Sequence, residues 1–91
     1  MERSVLRKVL DRAPGLSETD GSYTVGVDHR ASLYLGLASQ TTMVGDLVRL
    51  SLRDDHLEIE SKEGTRSYFA YEHILGFAVQ PPRGASGRTG F

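Results

Sequence analysis

A two-residue alternation that runs from Gly45 to Val79 limits this chain more than any other feature. After Gly45, Val48, Leu50 and Leu52 fall on one face and Arg49, Ser51 and Arg53 on the other, which is the period of a half-buried strand. Asp54-Asp55 interrupts the pattern. His56-Leu57-Glu58-Ile59-Glu60 resumes it, with Leu57 and Ile59 inward and both glutamates outward. Lys62-Glu63-Gly64 supplies a short loop in which glycine can take positive φ. Thr65 to Tyr71 is rich in the β-branched and aromatic residues that suit a pleated surface. Its facing stays open: Ser67, Phe69 and Tyr71 share one side, and Arg66, Tyr68 and Ala70 the other. Each side carries a ring, which points to a partner or a second layer. Glu72-His73-Ile74 predicts a tight turn into Leu75-Gly76-Phe77-Ala78-Val79, with Leu75, Phe77 and Val79 inward. Short strands with tight turns at regular spacing predict a small barrel or sandwich.

The residues before this stretch predict a helix and a hairpin. Over residues 2–13, Val5, Leu6, Val9, Leu10 and Ala13 form one apolar stripe, flanked by Arg3, Arg7, Lys8 and Arg12. Pro14-Gly15 ends the helix, because proline disfavours helical geometry in the residue before it and glycine permits the reversal. So short a helix must dock on something. A cap over one open end of a barrel is the main reading, with an oligomer-forming or membrane-surface helix as the alternatives. Leu16 to Gly21 reads as a polar connector. Residues 22–28 then alternate with Tyr23, Val25 and Val27 together, and residues 31–38 with Leu33, Leu35 and Leu37 together. Residues 39–43 read as a polar loop, although Thr41-Thr42 could extend a strand.

Ninety-one residues suffice for one core, placed within 1–80. Residues 81–91, rich in Pro, Gly, Ser and Arg, read as a flexible tail, with Pro81-Pro82-Arg83 as a faint polyproline signal. The chain has no cysteine, which fits a reducing compartment. No apolar run approaches the roughly 20 residues that span a bilayer, and the N-terminus lacks the apolar core of a secretory signal. A soluble, cytoplasmic protein is the expectation. The net charge of −1 conceals two basic ends and an acidic body, the reverse of what a broad nucleic-acid face wants in its body.

Catalysis finds little support. The three histidines, His29, His56 and His73, each have a carboxylate neighbour in sequence, but none shows local metal-ligand spacing. No nucleophile elbow, P-loop or dinucleotide fingerprint is present. Glu58 and Glu60 flank inward residues, so they read as a solvated strand face and not as a hydrolytic pair. The expectation is a protein that is not an enzyme, with no metal and no small-molecule cofactor.

Two segments carry a resemblance. Tyr71-Glu72-His73-Ile74-Leu75-Gly76-Phe77-Ala78-Val79 resembles the Tyr-Lys-His-Ala-Ile-Ser-Thr-Val-Val segment of the bacterial Sm-like, Hfq-type family, including its proline-containing exit. Arg53-Asp54-Asp55-His56-Leu57 is similar to that family's Phe-Asp-Gln-Phe-Val turn. The resemblance implies a ring-forming small barrel that grips uridine-rich RNA, with His73 matching the pore histidine and His56 the stacking aromatic. Two positions depart from the pattern: Glu72 replaces the RNA-contacting lysine and Asp55 the glutamine, putting negative charge where phosphate would approach.

The expected fold is therefore mainly β (α+β): the helix, then an antiparallel SH3-like or Sm-like barrel of five to six strands. These strands are placed at about 22–28, 31–38, 45–53, 56–61, 65–71 and 75–79. The expected role is a non-catalytic binding or assembly module that binds a protein partner or self-associates through Tyr68, Phe69, Tyr71 and Arg66. The alternative is RNA binding through Arg3, Arg7, Lys8, Arg12, Arg83 and Arg88, with His56, Tyr71 and His73 at the bases.

Overall fold

Strand β4 (Gln40–Leu52) is the longest element and the one that every other part of the sheet is hung from. The computed structural model describes residues 1–82. Helix α1 (Arg3–Arg12) comes first, followed by β1 (Leu16–Thr19), β2 (Ser22–Val25), β3 (Arg30–Leu37) and β4. Then come β5 (His56–Ser61), β6 (Arg66–Ala70), a 3-10 turn (Tyr71–His73) and β7 (Ile74–Gln80). All pairings are antiparallel. The main path runs β1-β2-β4-β3-β7, and β5 branches from β4 and carries β6. The first half of β4 pairs with β3, and its second half pairs with β2 and with β5. One strand thus serves two half-sheets, β7-β3-β4 and β1-β2-β4-β5-β6, and the sheet curls into a half-barrel.

The curl is made at Gly45–Val48. Opposite β3, the register shifts between Ala31 and Leu33. Opposite β5 it shifts between Leu47 and Arg49, so Val48 is an extra residue. Asp46 sits at φ 53, and its carbonyl accepts the Lys62 backbone N–H at 3.0 Å. Such a bulge bends the strand and resets the alternation by one residue. Periodicity alone places Val48 inward. In the structure Leu47, 1 % exposed, faces the core and Val48 is only half-buried.

Three further expectations are corrected by local turn chemistry. The connector Leu16–Gly21 contributes β1, because Asp20-Gly21, at φ 51 and φ 82, makes a two-residue hairpin turn that pairs Thr19 with Ser22. The sheet therefore has seven strands. Strand β2 stops at Val25, and Val27 is 96 % exposed instead of inward. The loop expected at 39–43 is the start of β4: Ala38, at φ 54, and Ser39 form the turn, and Leu37 pairs with Gln40. Similarly, the register shift between Tyr34 and Leu35 makes Leu75 the extra residue of β7. Ile74 takes the core position, and Leu75 lies 55 % exposed over Gly36.

The core unites helix and sheet. Leu6 and Leu10 of α1 cluster with Tyr23, Leu33, Leu35, Leu50, Leu57, Ile59 and Ile74. That uses the apolar stripe of α1 within the fold, while Val5 stays exposed. Glu58 and Glu60 remain on the outer face, beside Arg53 and Arg49. Tyr23 ties the layers together: its ring is 2 % exposed, and its hydroxyl reaches the rim to donate to Asp11 of α1. No helix among the described residues is long and apolar enough to cross a membrane.

Two outcomes follow. In urea denaturation, Leu47→Ala should cost about 2–5 kcal/mol, whereas Val48→Ala should cost only about 1 kcal/mol; equal costs would contradict the bulge. Burial first, then the Asp11 hydrogen bond, pushes the Tyr23 hydroxyl up to about 12 from 10.0. Because the folded value is the higher one, its contribution to stability is complete below pH 10 and is lost as pH rises towards 12. Absorbance titration should show Tyr23 as a late tyrosine, with that component absent in Tyr23→Phe, which should also flatten that loss.

Candidate interaction surface

Three separate pieces of chain meet at the β4–β5 turn. The turn is closed by the Arg53 backbone N–H donating to the His56 carbonyl at 3.0 Å. The Arg53 carbonyl accepts from the Tyr71 hydroxyl at 2.6 Å and from Arg3 Nε at 3.1 Å. The Met1 ammonium donates to the carbonyls of Tyr71 and Ile74, both at 2.8 Å. Helix start, turn and 3-10 segment are thus pinned to one another by backbone acceptors. This network brings together residues that lie far apart in the chain.

On the outer face of this corner, the His56 and Tyr68 rings lie with centroids 6.0 Å apart and planes tilted by 59°. Tyr68 is 58 % exposed. His56 Nδ1 lies 2.7 Å from Asp55 Oδ1, and the hydrogen bond and charge from His56 hold the Asp55 carboxyl below its ordinary value. Burial pushes the Tyr71 hydroxyl up, against the lowering effect of Arg3. Arg53 reaches Glu58 at 3.1 Å. The corner therefore mixes cations, carboxylates and rings in close quarters.

Of the residues singled out in the sequence, Arg3, His56, Tyr68 and Tyr71 converge here. The others do not. Phe69, half-buried, faces inward and packs against the core. Arg66 is exposed on the outer face, opposite Glu60 in register, and makes no ion pair among the described residues. Arg7 pairs with Asp11 along the helix at 4.0 Å, and Lys8 and Arg12 are exposed on α1. His73 is half-buried in the 3-10 turn. Arg83 and Arg88, with most of the expected tail, lie outside the described residues. Among the described residues no cluster of three His, Asp or Glu side chains could hold a metal ion.

Two features take their form only in the structure. One is the set of free edges: among the described residues β1 pairs only with β2, β6 only with β5, and β7 only with β3. The edges differ in character. β1 is short and polar, the usual protection against edge pairing, whereas β7 carries no charge from Ile74 to Gln80 and β6 carries only Arg66. The other is a groove of about 270 Å³ on the outer face of β7-β3-β4. Its residues are small at Ser32, Gly45 and Ala78, with Tyr34 and Met43 at one end. The Arg30–Asp46 pair, 3.3 Å apart, stands at the other. Ser32 and Tyr34 are legible as outward residues of β3, but the groove depends on the register of β4, which the bulge sets.

If the Tyr71 hydroxyl anchors the turn, Tyr71→Phe should cost about 0.5–1.5 kcal/mol in urea denaturation and broaden the amide signals of residues 53–56. Unchanged stability and spectra would show the hydrogen bond to be incidental. In comparisons with known proteins, no family model, no curated protein and no solved structure matches this chain.

Proposed function

We propose that this chain is a non-catalytic assembly module, a small Sm-like barrel that self-associates through its free strand edges. The order of elements supports the barrel: after the helix and the β1-β2 hairpin, β3 to β7 run in sequence, and β7 returns to pair with β3. The observation that carries the reading is the state of β6 and β7. They are consecutive strands separated by a 3-10 turn, each pairs on one side only among the described residues, and β7 lacks the charges or prolines that blunt an edge. An edge of one kind meeting an edge of the other kind on a second copy is a heterologous contact, which generates rings when its rotation closes.

Single-stranded RNA at the Arg3–His56–Tyr68 corner is the second reading. The exposed ring pair favours it, and the carboxylates of Asp54, Asp55 and Glu72 oppose it. Light scattering across a range of concentrations, with and without uridine-rich RNA at low salt, separates the two. Self-association predicts a mass above the monomer without nucleic acid. A strict monomer at every concentration removes it, and a salt-dependent RNA complex formed by that monomer would favour the second reading instead.

A further inference from the structure

We propose that the groove on the outer face of β7-β3-β4 is a binding site for a free aromatic α-amino acid. Such a site is independent of self-association. The strand register shapes the groove as a trough that crosses the three strands. Its floor is the row Ala78, Ser32 and Gly45: Ser32 pairs with Ala78, and a side chain added at Gly45 would begin 3.7 Å from Ser32 Oγ. On one side of the floor stands a wall of Tyr34 and Met43, which are register partners. On the other side stand Arg30, its partner Gln80, and Asp46. Arg30 and Tyr34 lie four residues apart on β3, about 13 Å at ~3.3 Å per residue. The side chains of both walls narrow that span to room for one small molecule lying end to end between them, in a volume of about 270 Å³.

The two walls call for different ends of one ligand. Tyr34 and Met43 offer a ring and a thioether, and an aromatic ring laid against both gains stacking and sulfur–ring contact. The opposite wall is charged yet neutral in sum. Arg30 and Asp46 meet through one contact at 3.3 Å, and their side chains are 65 % and 50 % exposed. Each therefore keeps hydrogen-bonding capacity towards the trough, Arg30 for a carboxylate and Asp46 for an ammonium. A ligand with a single charge would suit one of these groups and be repelled by the other. A zwitterion suits both, and the α-carbon of an amino acid holds its two charges as close together as Arg30 and Asp46 hold theirs. Ser32 on the floor and Gln80 beside Arg30 add further polar partners. The trough is open on its outer side and the ligand is small, so affinity falls in the roughly millimolar range.

Titration with L-phenylalanine, followed by amide NMR, tests the site. Saturable shifts are expected at Ser32, Tyr34, Met43, Gly45 and Ala78. Phenylalaninamide lacks the carboxylate and N-acetylphenylalanine lacks the ammonium, so each should bind about tenfold more weakly or worse. These two compounds carry the charges of a phenylalanine at either end of a peptide, and they separate that source from the free amino acid. Asp46→Asn keeps a residue that tolerates the left-handed φ of 53 and should also weaken phenylalanine about tenfold. Gly45→Val fills the floor from an ordinary van der Waals distance and should abolish the shifts in a chain that is folded by circular dichroism. Shifts that never saturate overturn the assignment, as does binding that Gly45→Val leaves unchanged. Either derivative binding as well as phenylalanine overturns it too, and because the derivatives act on the unaltered chain, that result stands even where a variant fails to fold. A wild-type chain that stays monomeric removes the assembly reading and leaves this one untouched, so the two fail separately.

Discussion

The bend in β4 is the constraint on which the rest depends. Leu47 pairs with Ala31 on one edge and with Ser61 on the other, so both half-sheets meet at a single buried residue. A straight strand of thirteen residues would carry one flat face and leave α1 nothing concave to fill. With the extra residue at Val48 and the left-handed turn of the chain at Asp46, the two halves of β4 face a common interior. Leu6 and Leu10 close that interior. The same bend separates β6 from β7, because they grow from different halves of the same strand. Their edges stay apart in one chain and are available to another.

Much of this is legible in the sequence, and most of what is not comes from a change of phase. Leu50, Leu52, Leu57 and Ile59 are buried where alternation puts them, and the glutamates between them stay on the outer face. Alternation is a statement about phase, however, and a bulge changes phase by one residue without changing composition. That is why Leu47 and Ile74 take core positions that periodicity assigns to Val48 and Leu75. The missed strand β1 is different: Asp20-Gly21 is a strong hairpin signal, and it was obscured by the polar character of Leu16–Thr19. Polarity there reflects an edge strand with one wet face and one free edge.

The surface was less legible than the core. Arg3, His56, Tyr68 and Tyr71 meet because the Arg53 carbonyl serves as a shared acceptor, a contact that no side-chain pattern encodes. Phe69 and Tyr68 look equivalent in sequence, yet one packs inward and the other stands exposed. Two aromatic residues in succession on an edge strand thus divide their work, one holding the strand to the core and the other facing outward. Within the acidic body, Glu58 and Glu60 are paired on the sheet with Arg53 and Arg49.

Assembly through β6 and β7 is the central claim, and amide hydrogen exchange resolved by residue and followed against protein concentration tests it most directly. Backbone N–H groups on the outer edges of β6 and β7 should gain protection as concentration rises, while those of β1, the short polar edge, should not. If the outer amides of β6 and β7 exchange as fast as those of β1 at every concentration, no second chain pairs with them and the account is wrong.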